Sequence, residues 1–246
     1  MEKGTIYEEI KKLFYQLLID NALLEESIAV KGRVLKTEEA IGSPQRQDFP
    51  LVKGREKLMQ ATFKGAYGQA FTDMPGSFSG KLREITARPL DTNFDLAVLV
   101  SSLNAVMRYL GLIDRTVHCK DDEPEQCAKG FVDSIKGRFG PKVKVALVGY
   151  QPAFVEHFAR AFSLRVLDLD PDRVGKEFYG ILIEDGLQNM DAALKESELI
   201  IATGSTLTNG TFCNYINRNK PVIFYGTTVA GVAKLLNYER FCLCAQ

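Results

Sequence analysis

A dense group of hydrogen-bonding side chains occupies the segment TGSTLTNGT, residues 203–211. The segment follows a short apolar run, Leu199–Ala202, which predicts a buried strand, and it leads into a predicted helix, Thr208–Asn217. A strand that ends in small polar residues at a helix start offers backbone N–H groups and the positive end of the helix dipole. Such a turn suits an anionic or oxygen-rich ligand, and the candidate binding residues are Thr203, Gly204, Ser205, Thr206, Asn209, Gly210 and Thr211. In the simpler alternative, Thr208 or Asn209 only caps the helix.

Further polar segments stand directly after other predicted strands. They are GYQP at 149–152, DLD at 168–170 and GTT at 226–228. The carboxyl ends of neighbouring parallel strands meet at one edge of a doubly wound sheet, where ligands bind. We therefore expect these segments to share one site with residues 203–211. The additional candidate ligand-binding residues are Gly149, Tyr150, Gln151, Asp168, Asp170, Gly226, Thr227 and Thr228.

The turn at Gly149 lacks a dinucleotide-binding fingerprint. A G-x-G-x-x-G loop needs three glycines so that the backbone can approach a pyrophosphate, whereas Gly149 is followed by YQP. Asp168 and Asp170 do stand about 20 residues further on, where a ribose-binding carboxylate is expected. This combination favours S-adenosylmethionine or another nucleoside-like ligand over a nicotinamide cofactor. A solvated strand end is the alternative role of both aspartates.

Few groups are suited to moving protons. His118 lies in the predicted connection between the two halves of the chain, where clefts form, while Asp73 and Asp185 follow predicted strands. These three are the candidate catalytic residues, and turn formation is the alternative role of the two carboxylates. The sequence has no G-x-S-x-G elbow, Walker lysine loop or H-E-x-x-H helix, so those reaction classes are not indicated.

The five cysteines permit a soft-metal site, because thiolates bind soft ions. The candidate metal ligands are Cys119, Cys127 and Cys242, with His118 as a further one. Cys242 and Cys244 form a C-x-C pair, which differs from the C-x-x-C spacing of common metal knuckles. Inert or redox-sensitive buried thiols are the alternative.

Asn104 is a polar residue in a predicted helix, Asn93–Leu110, that is apolar on nearly every side. A buried amide without hydrogen-bond partners costs about 1–3 kcal/mol. We therefore expect Asn104 either to bond the loops of the second half or to reach the ligand.

The second half of the chain alternates strands and helices. Its apolar runs predict strands that are buried on both faces, which is typical of a parallel sheet covered by helices. The predicted strands are Val143–Val148, Leu164–Leu167, Gly180–Ile183, Leu199–Ala202 and Val222–Tyr225, and the predicted helices are Ala153–Phe162, Leu187–Glu196, Thr208–Asn217 and Val229–Leu236. The fold class is therefore α/β, with a doubly wound parallel sheet in the C-terminal half.

The first half has a different pattern, which predicts an α+β arrangement. Its predicted elements are a helix over Thr5–Leu24, strands over Glu26–Leu35 and Leu58–Phe71, a hairpin turn at Lys64-Gly65 and a helix over Asn93–Leu110. We expect a smaller α+β domain over residues 1–115, a connection over 116–141 and a second domain over 142–246. Residues 125–138 of the connection are compatible with a helix.

Composition narrows the class of protein. The 246 residues are 46% hydrophobic, and 31 basic residues balance 31 acidic ones, which argues against nucleic acid as a partner. No apolar run approaches the roughly 18–20 residues that cross a bilayer, and the charged N-terminus carries no signal-peptide core. The odd cysteine count does not indicate a disulfide framework, so a reduced, cytoplasmic protein is expected.

A resemblance to one prokaryotic family rests on motifs spread along nearly the whole chain. They are GQAFTD at 68–73, LNAVMR at 103–108, VHCKDDEPEQCA at 117–128, LVGYQPA at 147–153, LDLDP at 167–171, TGSTLTNGT at 203–211 and FYGTTVAG at 224–231. With these motifs the chain resembles the putative heavy-metal chelation family, a Rossmann-like domain of unknown function. The resemblance implies an enolase-N-terminal-like first domain, a Rossmann-like second domain and a site between them.

For activity, the resemblance implies a role in heavy-metal chelation, or condensation or hydrolysis of pterin-, flavin- or siderophore-like molecules. Partial likeness to methyltransferases is implied as well. The chain departs from the common family pattern at 226–231, where GTTVAG replaces a Gly-Pro-Ser-Thr type of turn.

Two functional hypotheses follow from the sequence. In the first, the chain is an enzyme, or an enzyme-like binding protein, that holds a small anionic or oxygen-rich heterocycle between its two halves. The reaction class is open, and the resemblance implies a condensing, hydrolytic or methyltransferase-like reaction. In the alternative, it is a non-catalytic protein that binds metal through its thiols. A nucleoside-like ligand and a soft metal ion are thus the two cofactor classes left open. The expected partner is a small molecule rather than nucleic acid or a membrane, and a homodimer is left open.

Overall fold

The computed structural model of the chain describes residues 3–31, 41–46, 48 and 57–246. The first half forms a four-stranded antiparallel sheet in the order β3-β2-β1-β4. Its elements are α1 (Lys3–Asp20), β1 (Ser27–Lys31), β2 (Lys57–Phe63), β3 (Ala66–Thr72), β4 (Phe78–Lys81), α2 (Leu82–Ala87) and α3 (Asn93–Tyr109). The predicted hairpin at Lys64-Gly65 joins β2 to β3. The predicted first strand is found as β1, and residues 32–35 of that prediction lie outside the described residues.

Helix α3 is buried on every side from Asp95 to Met107. Its start is fixed by a reciprocal cap, in which the Thr92 hydroxyl accepts from the Asp95 N–H and the Asp95 carboxylate accepts from the Thr92 N–H. Strand β3 lies against α3 at Gly68, where a Cβ atom would stand 2.2 Å from the backbone nitrogen of Ala105. Only a glycine allows this backbone-to-backbone approach.

The second half forms a seven-stranded sheet in the order β11-β10-β9-β5-β6-β8-β7. All neighbours in it are parallel except β7 and β8. The strands are β5 (Lys144–Val148), β6 (Ser163–Asp168), β7 (Glu177–Phe178), β8 (Ile181–Asp185), β9 (Leu199–Thr203), β10 (Val222–Tyr225) and β11 (Glu239–Phe241), and the helices are α4 (Glu123–Phe139), α5 (Pro152–Ala159), α6 (Met190–Glu196) and α7 (Ala230–Leu235). The predicted α/β fold class, with a parallel sheet after an α+β half, is confirmed.

The helix predicted over Thr208–Asn217 is wrong. Two short 3-10 turns, Gly204–Thr206 and Phe212–Asn214, stand in its place. The polar side chains bond the nearby backbone: the Thr206 hydroxyl donates to the Thr203 carbonyl at 2.8 Å and the Thr208 hydroxyl to the Ser205 carbonyl at 3.0 Å. Such local bonds compete with helix formation, so the segment stays a compact polar loop.

Alternate residues of the parallel sheet face two different hydrophobic clusters, as the two-residue period of a strand requires. Ile201 and Ile223 belong to the cluster formed with α4 and α5. Ile200 and Phe224 belong to the other cluster, which also contains α1, α3 and the antiparallel sheet. One core therefore spans both halves of the chain, and the domain limits 1–115, 116–141 and 142–246 stay a prediction.

Contacts between the halves are specific as well as apolar. The Tyr7 hydroxyl of α1 donates to the carbonyl of Leu207 at 2.6 Å, and both residues are buried. None of the helices in the described ranges is both long enough and apolar enough to cross a membrane.

Candidate functional site

A cavity of about 480 Å³ opens where the carboxyl ends of β5, β6, β9 and β10 meet the end of β3. All the predicted ligand-binding residues line this cavity except Gly210 and Asn104. Of the predicted catalytic residues, Asp73 and His118 line it and Asp185 does not. The three predicted metal ligands, Cys119, Cys127 and Cys242, line it too. The polar strand ends therefore meet at one place, although which of these residues bind a ligand stays a prediction.

The sequence analysis missed the aromatic part of the wall, which is formed by Phe71, Phe154, Tyr215 and Tyr225. Two of these residues stand at or near strand ends, Phe71 in β3 and Tyr225 as the last residue of β10. Their position directly before polar turns was the available signal. Burial raises the pKa of Tyr215 to about 12, so its phenol is neutral near pH 7.

The turn after β5 is shaped by Gly149, whose φ of +90° is disfavoured for residues with a side chain. A Cβ atom there would also lie 2.6 Å from Cγ2 of Thr203. The Tyr225 hydroxyl donates to the Gly149 carbonyl at 3.0 Å, which ties this turn to β10. The close approach of neighbouring strand ends thus explains why residue 149 is a glycine. A phosphate-binding loop is not needed to explain it.

The Asp168 carboxylate is engaged within the protein. It accepts hydrogen bonds from the backbone N–H of Tyr150 at 2.5 Å and of Asp170 at 2.7 Å. Asp170 in turn accepts from the N–H of Asp172 at 2.9 Å and pairs with Arg173 at 3.2 Å. These contacts hold the ends of β5 and β6 together, so neither aspartate presents a bare carboxylate to a ribose.

In the segment 203–211, several hydroxyl donors are used locally. Besides the bonds of Thr206 and Thr208, the Thr211 hydroxyl donates to Oδ1 of Asn209 at 2.7 Å, and the Thr203 hydroxyl donates to the Ser205 oxygen at 3.4 Å. No bond from the Ser205 hydroxyl or from the Asn209 amide nitrogen is found to any described residue.

The turn after β10 contributes two more hydroxyls. Thr228 Oγ1 accepts from the backbone N–H of Phe71 at 3.1 Å and so joins this turn to β3. Thr227 is 1% exposed, and its Oγ1 has no hydrogen-bond partner among the residues that the structure describes. A buried hydroxyl without a partner is costly, so Thr227 is an unsatisfied polar group in the cavity wall.

Asn104 holds this turn from behind. The two N–H groups of its amide are shared among the carbonyls of Gln69, Thr227 and Thr228, which lie 3.0, 3.2 and 3.0 Å from the nitrogen, and its Oδ1 accepts from the N–H of Gly231 at 2.7 Å. Of the two expected roles, Asn104 therefore bonds the loops of the second half and does not line the cavity. It positions the lining residues rather than contacting a ligand.

The other predicted catalytic residues have clear structural settings. The backbone N–H of His118 donates to Oε1 of Gln69 at 2.7 Å, and its ring packs edge-on against Phe71 with 5.4 Å between ring centroids. Asp73 accepts from the Asn93 amide at 2.8 Å at the cavity rim. Asp185 lies elsewhere and accepts from two backbone N–H groups after β8, which lower the pKa of its carboxyl. Turn formation, the alternative role, accounts for Asp185.

The charge of the wall is one-sided. Among the described residues, no lysine or arginine lines the cavity, whereas Asp73, Asp168 and Asp170 do. An anionic ligand would find no lysine or arginine among the described lining residues for ion pairing, and Arg173 already pairs with Asp168 and Asp170.

The metal hypothesis stays a prediction. In the described part of the chain, no group of three or more His, Cys, Asp and Glu side chains is arranged to hold a metal ion. Cys119, Cys127 and Cys242 are therefore near the same cavity without forming a three-ligand centre. Burial raises the pKa of the Cys127 thiol to about 12 and that of the Cys119 thiol further, so both are protonated near pH 7.

A parallel sheet with a cavity at its carboxyl ends defines an α/β protein of the doubly wound class. Residues 135–240 match the model of the family described as "putative heavy-metal chelation". The predicted resemblance to this family is confirmed over those residues. None of the curated proteins searched matches the chain.

Solved structures extend the likeness in fold. A protein of unknown function from Pyrococcus horikoshii, assigned to the same family, has 16% identity and a TM-score of 0.56, with 91% of this chain and 79% of that chain covered. A second member of unknown function, from Desulfitobacterium hafniense, has 16% identity and a TM-score of 0.49 over 73% of this chain and 72% of that one. The first of these likenesses shows a shared fold.

Proposed function

We propose that the chain binds a small, uncharged or cationic heterocyclic molecule with oxygen or nitrogen acceptors in the cavity between its two sheets. The observation that carries this proposal is the buried Thr227 hydroxyl, which lies in the cavity wall without a partner among the described residues. Ser205 and Asn209 supply further unused donors from the neighbouring loop. A ligand that accepts hydrogen bonds from these three groups would satisfy them.

The shape and polarity of the cavity support a ring-shaped ligand. Its volume of about 480 Å³ lies in the range of small-molecule sites, and aromatic side chains such as Phe71 and Tyr225 offer flat apolar surface. A pterin-like molecule combines a flat ring with several acceptors and carries no net negative charge. Since no lysine or arginine is among the described lining residues, an anionic ligand would have no cationic side chain of the wall to pair with. The carboxylates of Asp168 and Asp170, which are engaged with the backbone and with Arg173, give no support to a ribose contact.

The proposal concerns ligand binding and assigns no catalytic step. His118 and Asp73 lie at the cavity and stay predictions as catalytic residues, since each has a structural contact that accounts for its position. Binding is the step that the described contacts support.

The test combines native mass spectrometry of freshly purified protein with thermal shift. The probes are biopterin, which is neutral, S-adenosylmethionine, which is cationic at its sulfur, and folate, which adds two carboxylates to a pterin ring. We expect biopterin to raise the melting temperature more than folate does, because the wall lacks a cationic partner for the carboxylates. A stronger shift with folate, or no shift with any uncharged or cationic probe and no retained mass, would contradict the proposal.

Two variants locate the binding site. Thr227→Val keeps the shape of the side chain and removes only the unpartnered hydroxyl, so folding should be unaffected while affinity falls about tenfold, the value of one hydrogen bond. Ser205→Ala should lower affinity to a similar extent. Ser102→Ala is the matched control, since Ser102 also has a buried hydroxyl without a partner among the described residues but does not line the cavity. Equal affinity of wild type, Thr227→Val and Ser205→Ala would refute the placement.

A further inference from the structure

The cavity crosses the edge of the parallel sheet, and its two sides differ in polarity. The loop at 203–211 lies on the side that faces the first half, because its Leu207 belongs to the cluster that contains α1 and α3. The turn at 227–228 is held on the same side by Asn104 of α3. Lining residues on the other side belong to the cluster formed with α4 and α5, and they are Ile41, Cys127, Tyr150, Phe154 and Tyr225. One cavity thus joins a polar wall to a largely apolar one.

Aromatic rings make up much of the apolar wall. The rings of Phe154 and Tyr225 contact each other with 4.7 Å between their centroids. Phe71, from β3, packs against the same cluster and also lines the cavity. Because the Tyr225 hydroxyl is bonded to the Gly149 carbonyl, Tyr225 offers the cavity its ring. This wall presents flat apolar surface, which suits an alkyl or aromatic group.

Ile41 bounds the apolar end of the cavity. Its residue is 1% exposed although it lines the cavity, and its carbonyl accepts from the N–H of Asp121 at 2.7 Å. Five residues later, Arg46 pairs with Glu125 of α4 at 2.6 Å and with Glu156 of α5. The segment 41–46 is therefore anchored to both helices by polar contacts, which hold the apolar side chain of Ile41 at the cavity.

The cavity is larger than one bicyclic ring requires. Its volume of about 480 Å³ lies within the range of roughly 300–1,000 Å³ that takes whole drug-sized ligands. A ring system that lies against the donors of Ser205, Asn209 and Thr227 leaves space on the apolar side of the sheet edge. Filling that space with an apolar group removes the group and the wall from water.

We propose that the wall formed by Ile41, Cys127, Phe154 and Tyr225 binds an apolar substituent of the ligand, either an alkyl chain or an unsubstituted aromatic ring. The inference rests on the proposed heterocycle binding at the polar wall, and it specifies the ligand as a heterocycle with an apolar side group. A hydroxylated side group gains less at this wall, since buried hydroxyls cost free energy unless they are hydrogen-bonded.

The experiment is a calorimetric titration of the full chain with three uncharged pterins that differ only in the substituent at one ring carbon. The substituents are methyl, butyl and the dihydroxypropyl group of biopterin. We expect the butyl pterin to bind at least about tenfold more tightly than the methyl pterin, because each buried methylene group adds up to about fourfold in affinity. Its heat capacity of binding should also be more negative, as burial of apolar surface requires. Equal affinities of the methyl and butyl pterins would overturn the inference, while the proposed heterocycle binding would stand.

A matched pair of variants places the substituent. Cys127→Leu adds apolar bulk to the wall, so it should abolish most of the advantage of the butyl over the methyl pterin. Cys213→Leu makes the same change in a 3-10 turn that does not line the cavity, and it should keep the wild-type ratio of the two affinities. An undiminished advantage in folded Cys127→Leu would contradict the assignment of this wall.

A second measurement uses the unaltered protein and needs no heterocycle. The probe is N-phenylnaphthylamine, an uncharged aromatic dye whose fluorescence rises in apolar surroundings. We expect the wild type to bind the dye, and the butyl pterin to displace it at a lower concentration than the methyl pterin does. No rise in fluorescence with the wild type would overturn the inference. Binding of the dye by a protein that binds none of the three pterins would support the apolar wall and contradict the proposed heterocycle.

Discussion

Replacing Asn104 by alanine is the most informative single change in this fold. The amide contacts four buried backbone groups, sharing its two N–H groups among three carbonyls and accepting one N–H, and so joins α3 to β3, to the turn after β10 and to the start of α7. The N–H of Gly231 lies in the first turn of α7, where no helical partner is available, so it depends on Asn104. Asn104→Ala therefore removes a positioning residue of the cavity without touching its wall.

The magnitude follows from the groups left behind. One buried N–H without a partner costs about 1–3 kcal/mol, and the carbonyl of Thr227 keeps a second bond from the N–H of Ala230. With the small void left by the amide, the free energy of unfolding should fall by about 2–4 kcal/mol. For a chain of this size the melting temperature should drop by roughly 5–15 °C.

Ser102→Ala is the matched control on the same helix. Ser102 and Asn104 are both 0% exposed, but the Ser102 hydroxyl has no hydrogen-bond partner among the described residues. Its removal should leave the free energy of unfolding unchanged or slightly higher. Chemical denaturation of both variants beside the wild type measures the difference. Equal destabilisation by the two substitutions, or less than 1 kcal/mol of loss in Asn104→Ala, would refute this reasoning about satisfied and unsatisfied buried groups.

Further predictions concern backbone contact and pH. Gly68→Ala should prevent stable folding, because the new Cβ would stand 2.2 and 2.3 Å from backbone atoms of Ala105 and Ser101. Soluble yield and far-UV circular dichroism measure this loss of folding. A folded variant near wild-type stability would show that β3 can move off α3. Burial opposes ionisation of Asp95, but its hydrogen bonds from Thr92 and from the Arg88 guanidinium together outweigh burial and lower the pKa of this carboxyl below its usual 3.8. A lowered pKa in the folded state gives stability that is present above pH 3.8 and is lost as the pH falls through the folded value. Unfolding measured between pH 6 and 2 should therefore depend less on pH in Asp95→Asn than in the wild type, and identical pH profiles would contradict this.

Much of the parallel sheet could be predicted because its signal is local. Apolar runs such as Leu199–Ala202 are too uniform for a half-exposed strand, and each is followed by a polar turn. Parallel strands bring these turns to the same edge of the sheet. The cavity therefore lies at the edge that the sequence predicts for a ligand site. The short elements α2, β7 and β11 were missed, since pieces of two to six residues leave little periodic pattern.

The hydrogen-bond partners could not be predicted, because they are set by long-range contacts. Asp168 stands where a ribose ligand is expected, yet its carboxylate bonds the backbone of Tyr150, which only the pairing of β5 with β6 brings near. The wrong helix after Thr203 had a local cause that was available: a run of threonine, serine, asparagine and glycine is typical of turns.

The shared core has a consequence for biosynthesis. Helices α1 and α3 leave the ribosome well before β9 and β10, whose residues Ile200 and Phe224 belong to the same cluster. A nascent chain that ends after α3 carries an apolar helix with no partner on its second side, and the missing partner is about a hundred residues away in translation. The protein thus completes its first core only after β10 has been made, and until then the nascent chain exposes apolar surface of the kind that chaperones shield.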